Sequence, residues 1–260
     1  ATQGLRQPGS ALKPFAYLAL LAMGYPSETL LFDARTEFNT TGNPALDYHP
    51  DNYDEKFRGP ISIRSALAQS INVPAVKTLY LVGIDNLLST LKSFGITTLT
   101  DPRRYGLSLV LGGGEVKLIE LVGAYSVLAE EGVRHDQRMI LRIENRDGEI
   151  LEEYKDQSET VMEPQYPRII NDILSDVSAR SPLFVSSLGL TVYPGYDVAL
   201  KTGTTNDYRD AWAVGYTPNL VSGVWAGNND NTPMQRRGGS ILAAVPILNA
   251  YLVQALAKQT

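Results

Sequence analysis

Two neighbouring apolar segments near the C-terminal end constrain the fold more than any other feature. Residues 211–217 and 220–226 are rich in Trp, Val, Tyr and Ala, and only a tight turn at Pro218 connects them. Strands joined so closely form a hairpin, so the sheet that contains them is antiparallel. A further strand is predicted over 197–201, and the apolar spacing of 241–257 predicts a closing helix.

The part of the chain before this sheet is mostly helical by its apolar spacing. Helices are predicted over 10–23, 61–69, 75–82, 84–94, 115–130 and 169–177. A long polar loop is predicted over 36–59, and two strands over 139–144 and 149–154. Helices followed by an antiparallel sheet and another helix predict an α/β (α+β) fold, in which helices flank the sheet.

Composition excludes several classes of function. A hydrophobic fraction of 43% in 260 residues is enough for a sizeable core, and a net charge of −5 gives no basic face for nucleic acid. The chain has no cysteine and only two histidines, His49 and His135, so we expect no metal and no iron–sulfur cluster. The longest apolar run, Phe15–Met23, is about half of the roughly 20 residues that a membrane-spanning helix needs.

Ser10 and Lys13 form an S-x-x-K motif at the start of the first predicted helix. Side chains three residues apart lie on one helix face, so the Lys13 amine can lie against the Ser10 oxygen. A serine hydroxyl becomes a nucleophile when a base takes its proton, and a lysine neutralised by desolvation or a nearby cation can be that base. The alternative is an ordinary serine N-cap with an exposed lysine one turn further along.

Ser70, Ile71 and Asn72 form an S-x-N motif directly before Val73 and Pro74. A hydroxyl and an amide two residues apart in a turn can point the same way. One can then relay a proton while the other holds a peptide group. Serine and asparagine are also common turn residues, so this motif alone indicates no function.

Lys201 begins a K-T-G motif at the end of a predicted strand. A lysine with Thr202 and Thr204 on a sheet edge can bind a carboxylate, and Gly203 lets a substrate backbone approach closely. The alternative is a phosphate-binding loop that ends in the same Lys-Thr pair. That loop needs a glycine directly before its lysine, where this chain has Leu200.

The three motifs are far more specific together than apart. S-x-x-K, S-D-N and K-T-G form the signature of class A β-lactamases and penicillin-binding proteins, here with Ile71 in place of the aspartate. Nearly the whole chain resembles the transpeptidase domain of bifunctional, class A penicillin-binding proteins, and parts of it are most similar to the penicillin-binding protein 1C branch. The resemblance is carried by residues 6–15, 70–75 and 201–218, and that to the 1C branch by residues 53–60, 111–114 and 122–126.

The resemblance implies a penicilloyl serine transferase or β-lactamase-like fold in a single domain over 1–260. An antiparallel sheet flanked by helices would occupy roughly 136–260 with the helix 10–24. An all-helical part would occupy roughly 25–135. The family carries a glycosyltransferase domain, a membrane anchor and two sheet strands ahead of this region. We therefore expect an N-terminally truncated domain in which the edge of strand 220–226 is unpaired.

The resemblance also implies roles for single residues. Ser10 would be the nucleophile that is acylated by the D-Ala-D-Ala end of a peptidoglycan stem peptide, and Lys13 would take its proton. Ser70 would relay that proton to the leaving amine. Asn72 would bind the donor amide and help to position Lys13. Lys201 would raise the positive potential of the site.

Further residues would bind the substrate. Thr202 and Thr204 would hold its carboxylate beside Gly203, and the backbone N–H groups of Ser10 and Thr204 would form the oxyanion hole. No metal or cofactor would be needed. Stem peptides and β-lactam antibiotics would be the ligands. The site would lie on the periplasmic face of the bacterial inner membrane, tethered by the anchor of the parent protein.

Two other functions remain open from the residues. A D,D-carboxypeptidase or a β-lactamase would use the same fold for hydrolysis, although the segment between Asn72 and Lys201 has no E-x-x-x-N motif to activate a deacylating water. A β-lactam sensor or wall-binding module without turnover would also keep Ser10 and Lys13. The lifetime of the acyl ester separates these alternatives.

Overall fold

Short strands and helices alternate along the chain. The structure is a computed structural model and describes residues 2–38, 47–235 and 239–258. Its strands are β1 (Leu5–Arg6), β2 (Leu30–Asp33), β3 (Gly59–Ser62), β4 (Val116–Lys117), β5 (Val133–Arg134), β6 (Arg142–Glu144), β7 (Ile150–Glu153), β8 (Glu159–Thr160), β9 (Ala199–Thr204), β10 (Asp210–Thr217) and β11 (Leu220–Gly227). Its α-helices are α1 (Lys13–Ala22), α2 (Ile63–Ala68), α3 (Asn72–Val82), α4 (Ile84–Ser93), α5 (Leu118–Ala129), α6 (Gln165–Ser175), α7 (Val177–Phe184), α8 (Leu188–Thr191) and α9 (Ala244–Leu256). Short 3₁₀ turns cover Gly9–Leu12, Pro102–Arg104, Leu107–Leu111, Val185–Ser187 and Asn206–Tyr208.

The main sheet has the strand order β11-β10-β9, and both pairs are antiparallel. Side chains alternate between its two faces, as the period of two in a strand requires. Ala211 and Ala213 face a core that includes Leu248 and Leu252 of α9. Trp212 on β10 belongs to the larger core on the opposite face. The hairpin and the antiparallel sheet predicted from the sequence are confirmed.

Helix α1 is the centre of the larger core. All of its residues from Lys13 to Leu21 are buried. Phe15 packs edge-on against Phe94 and Tyr125, with ring centroids 5.7 and 5.4 Å away. A helix that is apolar on every side is stable only when it is enclosed. This enclosure holds the S-x-x-K segment rigidly against the sheet.

Strand β11 is an edge strand. In the described ranges it pairs with β10 alone, from Leu220 to Gly227. Its residues are half-buried, although Trp225 and Val224 suit a central strand. The position of β11 at the edge of the sheet in the described residues agrees with the sequence expectation, and the truncation of the domain stays a prediction.

Some predicted boundaries are wrong because long-range pairing overrides local periodicity. The helix predicted over 61–69 begins only at Ile63, since Gly59–Ser62 pairs with β2. Val116–Lys117 pairs with β1, so α5 begins at Leu118 rather than at the predicted 115. Strand β9 continues to Thr204, which places the K-T-G motif inside the strand.

The region between α5 and β9 contains elements that apolar periodicity does not predict. The predicted hairpin over 139–154 is present as β6 and β7, whereas α7 and α8 have no apolar pattern that predicts them. The predicted loop over 36–59 contains residues 39–46, which lie outside the described residues. None of the helices in the described ranges has the length and apolar character that crossing a bilayer requires.

Candidate active site

Ser10 lies in the 3₁₀ turn that leads into α1. The turn covers Gly9–Leu12, and Lys13 is the first residue of the α-helix that follows, so Ser10 is not the N-cap that the sequence suggests. Ser10 is half-buried and lines a cleft of about 640 Å³. A long, enclosed helix therefore presents this hydroxyl to an open space.

Three glycines allow the backbone around Ser10 to pack closely. A Cβ on Gly203 would lie 2.1 Å from the carbonyl oxygen of Pro8, and a Cβ on Gly112 would lie 2.2 Å from the amide nitrogen of Gly9. Gly9 has a φ of +56°, and its Cβ would lie 2.7 Å from the oxygen of Thr204. Each distance is far below van der Waals contact, so only glycine fits. The serine turn is thus held between β9 and the turn at Gly112.

Lys13 is completely buried and is held by the S-x-N motif. Its Nζ donates to the carbonyl oxygen of Ser70 (2.6 Å), to Asn72 Oδ1 (2.7 Å) and to the carbonyl oxygen of Ile71 (3.3 Å). Ser70 Oγ is 3.5 Å away. The described residues contain no hydrogen bond between Lys13 and Ser10, so the contact expected from the i, i+3 spacing is not made. The Lys13 amine is turned towards the S-x-N motif instead.

Ser70 has an unusual backbone conformation that suits its position. Its φ is +58°, and it follows the last residue of α2 and the capping residue Gln69. Its N–H donates to the oxygen of Leu67, and the Ile71 N–H donates to the oxygen of Ala66. These bonds form a Schellman C-cap, a position that glycine usually occupies. The left-handed conformation directs both oxygens of Ser70 to the buried amines.

Lys201 reaches the same hydroxyl from the sheet. Its Nζ donates to Ser70 Oγ (2.8 Å) and to the carbonyl oxygen of Thr202 (2.8 Å), and only 3% of the residue is exposed. The predicted convergence of Ser70 and Lys201 on one site is confirmed. Ser70 Oγ therefore lies between two lysine amines.

The electrostatics of the two lysines follow from their burial. Desolvation lowers the pKa of Lys13 well below its ordinary value, and the nearby Lys201 lowers it further. Desolvation also lowers the pKa of Lys201, to about 7. In the described residues neither amine has a carboxylate within ion-pair distance. Two like charges around one hydroxyl oppose each other, so a neutral amine is accessible near neutral pH.

Thr204, one of the two threonines predicted to bind the substrate, lies at the cleft end of β9. Thr204 Oγ1 accepts from the Ser240 N–H and is 3.1 Å from Ser240 Oγ. The N–H of Thr205 donates to the oxygen of Asp210 across the sheet. Because N–H groups alternate along a strand, the N–H of Thr204 points to the opposite side, towards Gly9. That is the side on which an oxyanion hole with the Ser10 N–H would form.

The cleft is broader than the three motifs. Tyr53 and Tyr208 meet at its rim, with their hydroxyl oxygens 3.2 Å apart. The lining includes all the predicted site residues except Lys13, Lys201 and Gly203, which lie behind the surface. The lining residues are Ser10, Tyr53, Ser70, Asn72, Leu111, Leu183, Phe184, Ser186, Ser187, Thr202, Thr204, Thr205, Asn206, Asp207, Tyr208, Gly239, Ser240, Ile241 and Leu242.

Sequence reasoning missed several residues of this site. Tyr208 and Ser240 belong to no recognised motif, and Asn52 lies in the long polar loop that the sequence predicts over 36–59. Gly112 belongs to a Gly-Gly-Gly run that is recognisable in the sequence. Its tight contact with Gly9 depends on two segments that are far apart in the chain.

Comparison with known proteins gives one matching family. Residues 1–252 match the family described as the penicillin binding protein transpeptidase domain. The penicillin-binding protein 1A of Aquifex aeolicus is 35% identical over 252 residues, which are 97% of this chain and 33% of that protein. That of Neisseria gonorrhoeae is 33% identical over 265 residues, covering 98% of this chain and 32% of the relative. The chain thus spans about a third of the length of these curated relatives.

Solved structures show the same fold. The crystal structure of penicillin-binding protein 1A from Haemophilus influenzae superposes with a TM-score of 0.87 at 24% identity, covering 100% of this chain and 43% of that one. The PonA1 protein from Mycobacterium tuberculosis, solved in complex with penicillin V, gives a TM-score of 0.81 at 22% identity, covering 98% and 70%. The predicted α/β fold is confirmed.

Proposed function

Since the chain belongs to the penicillin-binding protein transpeptidase family, we propose that it is a serine-type D,D-transpeptidase. It forms an ester between Ser10 and the D-Ala-D-Ala end of a peptidoglycan stem peptide. It then transfers that acyl group to an amine of a second stem. β-Lactams are expected to acylate the same hydroxyl and to remain bound as the ester.

The observation that carries this proposal is the convergence of two buried lysines on Ser70 Oγ. Lys201 Nζ lies 2.8 Å from it and Lys13 Nζ lies 3.5 Å from it. Both amines have lowered pKa values because they are desolvated. A neutral Lys13 can take the proton of Ser10 as its oxygen attacks the donor carbonyl. Ser70 can then pass its proton to the departing D-alanine amine and regain one from the protonated Lys13, so that both side chains return to their starting states.

The remaining motif residues are suited to binding the donor. Asn72 and the hydroxyl groups of Thr202 and Thr204 line the cleft beside Ser10. Thr202 and Thr204 would hold the terminal carboxylate, with Lys201 supplying positive potential. The N–H groups of Ser10 and Thr204 would stabilise the oxyanion, and a preorganised donor of this kind contributes about 3–4 kcal/mol.

The wider context of the site is also part of the proposal. The curated relatives are named penicillin-binding protein 1A, which supports a class A parent protein; the 1C branch stays a prediction. We expect the parent to be tethered to the inner membrane with this domain in the periplasm. Residues 1–260 would act there as one transpeptidase domain.

The test is the fate of the acyl ester. The protein is mixed with a stem-peptide donor, an amine acceptor and, separately, a fluorescent penicillin, and the adducts are followed by mass spectrometry. We expect an ester on Ser10 that lasts with penicillin, and a cross-linked dimer from the stem peptides. Hydrolysis of the penicillin ester within seconds would indicate a β-lactamase. Release of the donor without cross-linking would indicate a carboxypeptidase, and a lasting ester without turnover would indicate a sensor.

A further inference from the structure

Asn52 lies beside the S-x-N motif, in a loop that no motif singles out. It is 3% exposed, and its side-chain oxygen accepts hydrogen bonds from the backbone N–H groups of Asn72 and Val73, each at 3.1 Å. These N–H groups open α3, where the first N–H groups have no partner within the helix. An asparagine from a distant loop thus caps the helix that carries Asn72.

The other side of the Asn52 amide is fixed as firmly. Its nitrogen donates to Asp33 Oδ1 (2.7 Å) and to the carbonyl oxygen of Lys56 (2.7 Å). Asp33 is fully buried, and its second oxygen accepts from the Arg58 N–H (3.0 Å). All four hydrogen-bonding positions of the amide are filled. A flipped amide would place its donors against two N–H groups and its oxygen against a carboxylate, so one orientation is enforced.

The same loop fixes the orientation of Asn72. The Asn72 Nδ2 donates to the carbonyl oxygen of Asp51 (2.8 Å), the residue directly before Asn52. This bond leaves Oδ1 free to face Lys13, and it accepts from Nζ at 2.7 Å. Without it, the Asn72 amide could present its nitrogen to Lys13 instead. Two adjacent loop residues therefore hold both the backbone and the side chain of Asn72.

We propose that Asn52 is a positioning residue for acylation of Ser10. It acts through Asn72, which holds the amine of Lys13, and it is itself held by the carboxylate of Asp33. This inference rests on the proposed function, because it concerns the step in which Ser10 is acylated. A role as a helix cap alone would stabilise α3 without affecting Lys13.

The two roles predict different pH profiles. The oxygen of Asn72 favours the charged form of Lys13, to which it is hydrogen-bonded. Lys201, on β9, is the titratable side chain that faces Lys13, and it is unchanged by a substitution at Asn52. When Asn72 is released, Lys13 should lose its proton at lower pH while its amine is held less well. The acid limb, the part of the pH profile in which the acylation rate falls as Lys13 is protonated, should move to lower pH. The maximum acylation rate should also fall.

The experiment measures the rate of acylation by a fluorescent penicillin against pH, per folded molecule. Asn52→Ala should lower the rate at least tenfold and shift the acid limb. The control Lys56→Ala removes an exposed side chain in the same loop and keeps the backbone carbonyl that Asn52 contacts. It should stay within twofold of the wild-type rate and keep the wild-type limb. Should Asn52→Ala fail to fold, Asp33→Asn tests the same contact, and it should lower the rate and shift the limb in the same direction.

A double-mutant cycle supplies the second readout. In an Asn72→Ala background, Asn52→Ala should change the rate by less than twofold, since the group it acts through is absent. Equal slowing in both backgrounds, or a wild-type profile in the Asn52 and Asp33 variants, would overturn the inference. Failure of the wild-type protein to acylate would instead contradict the proposed function itself.

Discussion

Lys201 Nζ donates to Ser70 Oγ across 2.8 Å, although 131 residues separate the two in the chain. Lys201 lies on strand β9 and Ser70 lies in the Schellman cap that follows α2. The contact therefore depends on how these two elements pack together. Lys13 approaches the same hydroxyl from α1. Ser70 Oγ, at the end of α2, thus contacts one amine from β9 and one amine from α1.

Ser10→Ala should abolish labelling by fluorescent penicillin and leave the fold intact. Ser10 donates no hydrogen bond to a described residue, so loss of its hydroxyl should change the free energy of unfolding by no more than about 1 kcal/mol. Labelling is read on a gel and the adduct is located by mass spectrometry. Ser181→Ala, at a half-buried position that does not line the cleft, is the control and should label normally. Labelling that survives in Ser10→Ala would place the nucleophile elsewhere.

Ser70→Ala should slow acylation by roughly 10²–10⁴-fold, the usual contribution of a positioned proton-transfer group. The substitution removes the oxygen that lies between the two amines. Alanine at a φ of +58° is also mildly unfavourable, as serine is. Ser70→Gly keeps that conformation and separates the two effects. A normal rate in either variant would exclude Ser70 from the proton path.

Lys201→Met should change the pH dependence of stability in a defined direction. The pKa of Lys201 is about 7 in the folded protein and 10.5 without burial, so between these values the unfolded chain binds more protons. The burial of Lys201 therefore lowers the free energy of unfolding as the pH falls from 10.5 to 7, and its effect is constant below pH 7. The shift corresponds to a few kcal/mol, on the order of 1.4 kcal/mol per pKa unit.

The measurement is denaturant unfolding of wild-type and Lys201→Met protein at several pH values between 6 and 10.5. The variant should gain stability relative to wild type as the pH falls from 10.5 to 7. A difference that is constant over this range, or that grows towards high pH, would show that Lys201 is not buried as an amine with a lowered pKa.

Gly203→Ala should impair acylation severely. A Cβ there would lie 2.1 Å from the carbonyl oxygen of Pro8 and 3.1 Å from the N–H nitrogen of Ala11, so the turn that carries Ser10 must move. Movements of about 1 Å at a reacting group can lower a rate about 100-fold. The rate is followed with fluorescent penicillin.

Gly106→Ala is the matched control, since its Cβ would meet nothing within 4 Å and its φ is negative. It should acylate at the wild-type rate. Equal rates in the two alanine variants would contradict the close packing of β9 against the serine turn.

Local sequence patterns predict a large part of this fold. The hairpin of β10 and β11 follows from two apolar strands and a short turn, and α1 and α4 follow from apolar spacing. The three motifs supply the chemical groups of the site, and their order identifies the family. Where the pattern fails, as at β3, a short segment pairs with a distant strand and gains more from that pairing than from continuing a helix.

The sequence by itself determined which side chains are candidates for the chemistry, because S-x-x-K, S-x-N and K-T-G need only their residue types and spacing to be recognised. The tertiary structure decided how these groups are connected. The Lys13 amine donates to Asn72 rather than to Ser10, and Asn52 accepts a hydrogen bond from the backbone N–H of Asn72. The physical reason is that hydrogen bonds to buried amines and amides must be completed by whichever groups the packed core brings near, and that proximity is a property of the whole chain.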